Sequence, residues 1–136
     1  MKTFFVDANV FLRFFTEDDG GQHGRAADLL RRAASGKCGL VTGPPVLFEI
    51  AWTLRSAYDV PREKVLDVLS RLTGLPGLRM IDSDLVEDAI VIARSSRQEF
   101  ADAYILASMR KSGADAIATF NRKHFERMNA PITTVC

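Results

Sequence analysis

Short β-like runs alternate with longer segments of helical spacing along this chain, and that alternation constrains the fold more than any other feature. Parallel strands need long crossover connections, and helices between successive strands supply them. The sequence therefore predicts the α/β class with three layers, a central and mostly parallel sheet of about four or five strands flanked by helices. The predicted strands are residues 3–6, 39–42, 78–82, 116–119 and 132–135, and the predicted helices are residues 9–15, 24–34, 45–57, 61 to about 73, 85–95, 102–112 and one or two turns within 121–128.

The length of 136 residues is that of a single domain, so one domain over residues 1–136 is expected. Its 18 Lys and Arg against 17 Asp and Glu give a net charge of +1, which neither requires nor excludes a nucleic-acid partner. Cys38 and Cys136 belong to no metal-binding or redox spacing, and both are predicted to be reduced and incidental. The start has no leader-like segment and no apolar stretch is long enough to span a bilayer, so a cytoplasmic protein without membrane contact is expected.

A single carboxylate interrupts the apolar run "FFVDANVFLRFF" near the start of the chain. Asp7 comes directly after the first predicted strand, and in open α/β sheets ligands bind outside the carboxyl ends of the strands. Aspartate is also a good helix N-cap, and Asn9 could serve the same purpose. The residues by themselves leave capping and ligand binding open at this position.

Glu49 is the only charged residue between Lys37 and Arg55, inside "PPVLFEIAWTLR". The predicted helix around it is apolar on nearly every side, and a buried, unpaired carboxylate is costly, so a bound cation would explain it. The alternative is a glutamate in the first helical turn that still reaches water. Trp52, one turn later, is predicted to belong to the core rather than to stack on a base.

Two further polar residues occupy similar positions later in the chain. Asp102 heads an apolar helical stripe, and Asn121 follows the predicted strand "AIAT". Helix capping or a turn would explain each of them separately. Together with the earlier acids they suggest one cleft with oxygen ligands, which suit Mg²⁺ or Mn²⁺. His23 and His124 are too isolated to indicate zinc, and no Gly-rich phosphate loop or Gly-x-Ser-x-Gly elbow is present.

Three longer segments contain these residues: "VDANVFLRFF", "PPVLFEIAWTLRSAY" and "FADAYILASMRKSGADAIATFNRKHF". Taken together, these three segments resemble the PIN domain family and, within it, the VapC-type ribonuclease toxins of toxin–antitoxin pairs. The resemblance extends over nearly the whole chain, includes the order of predicted helices and strands, and implies a PIN-like fold.

The resemblance assigns roles to particular residues. The family's metal-binding carboxylates fall on Asp7, Glu49 and Asp102, which are catalytic together with Asn121. Position 121 is often Asp in the family, so this chain has one negative charge fewer and its affinity for a second metal is in question. Two polar residues, Asn9 and Thr119, match positions that support the site.

The function implied by the resemblance is that of a metal-dependent endoribonuclease toxin, with Mg²⁺ or Mn²⁺ as cofactor and RNA as substrate. Arg97 and Arg122 are candidate RNA contacts. A VapB-like antitoxin and a homodimer are the expected protein partners. The alternative function is that of a non-catalytic or housekeeping PIN-fold protein that binds RNA or another protein. The apolar residues assigned to the dimer surface are Leu54, Tyr58, Val65, Leu66, Val68, Leu69 and Leu72.

Overall fold

The computed structural model describes residues 1–133 and residue 135, so the predicted thiol of Cys136 lies outside the described residues. The chain forms two compact units, Met1–Ser83 and Asp84–Cys136, and a single domain over residues 1–136 stays a prediction. The elements are β1 (Thr3–Phe5), α1 (Ala8–Phe15), α2 (Gly20–Ala34), β2 (Gly39–Thr42), α3 (Pro44–Ser56), α4 (Arg62–Thr73), β3 (Leu78–Met80), α5 (Ser83–Ser96), α6 (Phe100–Ser112), β4 (Ile117–Ala118), α7 (Arg122–Glu126) and β5 (Ile132–Thr133).

In the first unit, a parallel sheet has the strand order β1-β2-β3. The pairing of β1 with β2 continues one residue past β1, because the amide of Val6 donates to the carbonyl oxygen of Val41 at 2.8 Å. The buried hydroxyl of Thr42 donates to the carbonyl oxygen of Val6 at 2.9 Å. These two bonds hold the backbone that immediately precedes Asp7.

Helix boundaries in the first unit depend on caps as well as on apolar spacing. Helix α2 begins at Gly20, four residues before the predicted start, because the carboxylate of Asp19 accepts a hydrogen bond of 3.0 Å from the amide of Gln22. Such a cap satisfies an otherwise unpaired donor and offsets the low helix propensity of the glycines. Helix α3 begins at Pro44, where prolines are favoured because the first helical amides have no intrahelical partner.

The second unit contains a helix pair and a small parallel sheet. Gly113 ends α6 with a φ of +77°, the left-handed conformation that glycine adopts readily, which confirms the predicted end of this helix. Strand β4 pairs in parallel with β5, with Ile117 opposite Ile132. The predicted last strand continues to residue 135, but Thr134 lies outside the described residues.

The α/β class with parallel strands and flanking helices is confirmed. Among the residues that the structure describes, the strands form one sheet of three and one sheet of two. No helix among those residues is long and apolar enough to cross a membrane.

Most of the residues predicted to form a dimer surface are buried within the chain, so that prediction was wrong for them. Five of them are buried at 2% exposure or less, so they pack in the core of the chain rather than face a partner. Only Tyr58 and Val68 are half-buried. The five buried residues are Leu54, Val65, Leu66, Leu69 and Leu72.

Candidate functional site

Asp7 is the N-cap of α1, at the carboxyl end of β1. Its Oδ1 accepts a hydrogen bond of 2.7 Å from the amide of Ala8. The side chain is exposed, and the capping bond uses only one carboxylate oxygen. The capping interpretation is therefore confirmed, and Oδ2 is still available for another partner.

Glu49 lies in the middle of α3 and is exposed, which corrects the expectation of an apolar environment on nearly every side. It shares its face of the helix with Pro45 and Trp52, at helical spacing, and both of these are exposed as well. Trp52 is 72% exposed, so the prediction that it belongs to the core was wrong. The apolar residues around Glu49 in the sequence face the other side of the helix, and the carboxylate needs no cation to offset burial.

Asp102 forms the closest side-chain pair among the predicted residues. Helix α6 begins two residues earlier than predicted, at Phe100, so Asp102 is in its first turn and is not the cap. An acid there is favoured by the positive end of the helix dipole. Its Oδ2 lies 3.2 Å from Nδ1 of His124, with side-chain exposures of 25% and 51% for the two residues.

Asn121 follows β4 and is the N-cap residue of α7, although its side chain makes no capping hydrogen bond. Its backbone amide donates to Oγ1 of Thr119 at 2.9 Å. Thr119 therefore orders the turn that carries Asn121, and its supporting role in a catalytic site stays a prediction. This turn also carries Phe120, which is 85% exposed.

The two candidate RNA contacts differ in their surroundings. Arg97 is exposed between α5 and α6, with a φ of +56°. Arg122 is the first residue of α7, and its Nε lies 3.6 Å from Oε1 of Glu126 in an exposed pair. Exposed pairs of this kind contribute little to stability, so the guanidinium of Arg122 can exchange Glu126 for a phosphate at small cost.

Asn9 lines a groove of about 380 Å³ between α1 and α2. Arg13, Gln22 and Arg25 give this groove a basic and polar wall. The Nε of Arg13 donates to Oε1 of Gln22 at 2.6 Å, which ties the two helices together. Asn9 is thus placed two residues after the cap residue Asp7, on the side of α1 that faces α2.

One carboxylate outside the predicted set has a shifted pKa. The pKa of Asp18 is lowered from its ordinary value of 3.8, chiefly by the hydrogen bond from the Tyr58 hydroxyl, then by that from Thr16, and less by the charge of Arg13. The Tyr58 hydroxyl lies 2.7 Å from Oδ2 of Asp18. This network joins the segment after α1 to the segment after α3, and its role is structural.

The predicted metal ligands fit a hard divalent cation by their chemistry, because carboxylate and amide oxygens are the ligands that Mg²⁺ and Mn²⁺ prefer. Within residues 1–133 and 135, no group of three or more His, Cys, Asp or Glu side chains is placed to hold a metal ion. The donor chemistry therefore agrees with the prediction, and the assembly of these residues into one metal site stays a prediction.

The model of the PIN domain family matches residues 4–131. This match covers nearly the whole chain and includes every predicted site residue from Asp7 to Arg122. The chain therefore belongs to the PIN domain family.

One solved structure similar to this chain is the crystal structure of VapC20 from Mycobacterium tuberculosis, described as a toxin that cleaves the sarcin–ricin loop. The two chains are 26% identical, the alignment covers 81% of this chain and 83% of the other, and the TM-score is 0.39. A TM-score this low adds nothing to the family assignment. The comparison with curated proteins found no relative.

Two features of the site residues were not predicted from the sequence. The contact of His124 with Asp102 joins residues 22 positions apart, and it depends on how α7 packs on α6. The outward direction of Trp52 was detectable in principle, because residues 45, 49, 52 and 56 fall on one helical face and residues 46, 47, 50 and 54 on the opposite one. The exposed and buried faces were not distinguished from the sequence, because both contain apolar residues.

Proposed function

We propose that this chain is a metal-dependent endoribonuclease of the VapC type, the toxin of a toxin–antitoxin pair. The observation that carries the proposal is the family match over residues 4–131. The resemblance of the three quoted segments to VapC-type toxins is the reason for proposing a toxin rather than another member of the family. RNA is the proposed substrate, and a VapB-like antitoxin and a second copy of this chain are the proposed partners.

In the proposed site, the carboxylates of Asp7, Glu49 and Asp102 would hold Mg²⁺ or Mn²⁺. A bound divalent ion supplies an activated water and neutralises charge on the phosphate and the leaving oxygen. Asp7 supports this role because its capping bond fixes the side chain while one oxygen stays available. Glu49 is exposed, so its carboxylate is accessible to a metal ion or a substrate.

The residues of the second unit support the same proposal. His124 supports this role of Asp102, because its Nδ1 lies 3.2 Å from Oδ2 and a contact there favours one direction of the carboxylate. Asn121 offers an amide oxygen in place of a carboxylate, which is a weaker ligand for a hard cation. Arg122 and Arg97 are proposed to contact phosphates of the RNA.

A second candidate function is binding of RNA without cleavage. Two observations favour it: the amide at position 121, and the lack of a metal-binding group of three side chains among the described residues. Both functions predict RNA binding, and only the first predicts hydrolysis.

The test is an RNA cleavage assay with Mn²⁺ and with EDTA, using a mixture of folded and single-stranded RNAs. Wild-type protein should cleave with Mn²⁺ and not with EDTA. Asp7→Asn, Glu49→Gln and Asp102→Asn should each lose at least about 100-fold in rate, a typical effect of removing a group that acts at the reacting centre. Asp115→Asn is a matched control, because this exposed aspartate is outside the proposed set.

Near-full activity in any two of the three variants would refute the proposed site. RNA binding without cleavage under all metal conditions would favour the second candidate function. Growth arrest on expression of the wild type, relieved by Asp7→Asn, would support the toxin role, and equal growth with both would contradict it.

A further inference from the structure

Four basic side chains of the first unit lie where α2 ends and where β1 and β2 begin. The last turn of α2 contributes Arg31 and Arg32. Lys2 directly precedes β1, and Lys37 lies in the turn that leads from α2 into β2. All four side chains are exposed. These residues form the amino-edge basic patch, named for the edge of the sheet at which the parallel strands begin.

Backbone hydrogen bonds fix the residues of this patch relative to one another. The amide of Lys37 donates to the carbonyl oxygen of Arg32 at 2.9 Å, and the amide of Gly39 donates to that of Lys2 at 2.9 Å. The hydroxyl of Ser35 also donates to the carbonyl oxygen of Arg32, at 3.1 Å. Because this carbonyl at the end of α2 already has its donors, no cationic side chain is needed to cap it.

The patch borders an open groove of about 700 Å³ beside the end of α2. The groove contains one acidic residue, Asp28, which forms an ion pair with Arg31. Within residues 1–133 and 135, Arg32 and Lys37 form no ion pair. The whole chain has a net charge of only +1, so positive charge is concentrated at this edge and the remaining residues are net negative.

The lining of the groove suits a phosphate backbone better than a protein partner. Apart from its charged residues, the groove is lined in the described part of the chain by Ala34 and Ser35. Protein interfaces have an apolar core with aromatic or large aliphatic anchors, and this lining offers none. Nucleic-acid backbones are bound by arginine, lysine and hydroxyl groups, which this lining does offer.

We infer that the amino-edge basic patch is an accessory docking surface for backbone phosphates of an RNA substrate, remote from the proposed cleavage site. The inference rests on the proposed function and deepens it, because it names substrate-binding residues outside the metal site. The chemistry recognised is a phosphodiester backbone, which DNA also supplies, and RNA is assigned because it is the proposed substrate. Contacts of this kind add affinity without sequence preference.

The separation of the patch from Asp7 follows from β1, because both lie in the first unit and flank the same strand. An extended chain rises about 3.3 Å per residue, so Lys2 and Asp7 are roughly 16 Å apart. A stacked strand of nucleic acid advances about 3.4 Å per nucleotide. The patch would therefore contact phosphates about five nucleotides from a phosphate bound at Asp7, and a shorter RNA would reach only one of the two places.

The first test measures RNA affinity in EDTA, so that cleavage does not occur, at several salt concentrations. The double variant Arg32→Gln with Lys37→Gln removes two charges from the patch. Loss of two phosphate contacts should reduce the slope of log K against log salt concentration by about 1.4 to 1.8. The dissociation constant at about 50 mM salt should rise roughly 10- to 100-fold, and the difference from the wild type should disappear near about 1 M.

Arg110→Gln with Lys111→Gln is the matched control, because these two cations also lie in the last turn of a helix, α6, and are exposed. This variant loses the same charge and should bind RNA like the wild type. Arg32→Lys with Lys37→Arg keeps both charges of the patch and should retain the affinity and the salt slope. All of the replaced side chains are exposed, so each variant should remain folded.

The second test uses RNA length to separate docking from cleavage. With Mn²⁺, Arg32→Gln with Lys37→Gln should cleave an RNA of about four nucleotides like the wild type, because that RNA cannot reach the patch from Asp7. The same variant should show a lower kcat/KM for an RNA of about 20 nucleotides, which reaches both places. An equal loss of kcat/KM on both RNAs would overturn the docking role.

The outcomes distinguish the inference from the proposed function. Unchanged affinity and salt slope in Arg32→Gln with Lys37→Gln, together with Mn²⁺-dependent cleavage, would overturn the inference and leave the proposed nuclease intact. The expected loss of binding in a wild type that never cleaves would support the docking surface and contradict the nuclease. No RNA binding by the wild type would overturn both. A DNA of equal length bound more tightly than RNA, or polyglutamate bound as tightly, would overturn the assignment to RNA.

Discussion

Replacing Gly77 by alanine should destabilise the first unit far more than the same change at Gly36. Both glycines have a φ of +81°, where a Cβ costs about 1–2 kcal/mol. At Gly77 the added Cβ would also lie 2.6 Å from the carbonyl carbon of Ala33 and would overlap its oxygen, while at Gly36 nothing lies within 4 Å. Displacing the backbone of Ala33 adds an overpacking cost of about 1–3 kcal/mol.

The expected losses in the free energy of unfolding are therefore about 1 kcal/mol for Gly36→Ala and about 2–4 kcal/mol for Gly77→Ala, after allowance for the smaller entropy of the unfolded chain with alanine. Urea titrations of both variants at neutral pH measure the difference, and the melting temperature should fall by roughly 3 °C per kcal/mol. Gly36 and Gly77 belong to the same compact unit, so the two variants report on the unfolding of the same part of the chain. Equal losses for the two variants would refute the close approach of residue 77 to the end of α2.

Three further predictions concern charge. Asp18 has a lowered pKa, so its contribution to stability is complete above the ordinary value of 3.8 and is lost as the pH falls through the lower folded value. Tyr58→Phe removes the main cause of the lowered pKa of Asp18. The melting temperature of this variant should be below that of the wild type at neutral pH, and the difference should shrink towards about pH 2. A difference that stays constant over this range would show that the Tyr58 hydroxyl does not act through the charge of Asp18. His124→Ala should cost less than about 1 kcal/mol in urea titrations with EDTA, because its pair with Asp102 is partly exposed, and a larger cost would make the pair a major structural contact. Asn121→Asp should lower the melting temperature in EDTA by adding a like charge and enlarge the increase produced by Mn²⁺, and an unchanged Mn²⁺ effect would place residue 121 outside the metal site.

Most helices and strands were predictable because their cues are local. Gly113 ends α6 because the left-handed conformation suits glycine, and the prolines at the start of α3 mark its first turn. The early start of α2 was not predicted, because the capping bond of Asp19 outweighs the low propensity of the glycines that follow. Helix propensity summed along a segment does not include the contribution of a single capping hydrogen bond.

The candidate site was less predictable than the elements that carry it. The places of Asp7 at a strand end and of Asp102 near a helix start follow from the sequence, since strands and caps depend on neighbours along the chain. The environment of each side chain was not deducible in the same way. Glu49 and Trp52 proved exposed, and the residues assigned to a dimer surface proved to be core, because apolarity along a helix does not specify which side other elements cover.

The sequence by itself determined the α/β class, the order of helices and strands, and the acidic and amide residues at Asp7, Glu49, Asp102 and Asn121. Only the tertiary structure decided that His124 contacts Asp102 and that Leu66 and Leu69 are interior residues. The physical reason is that the first group depends on interactions within a few residues, whereas burial and long-range contacts depend on the packing of whole elements against each other.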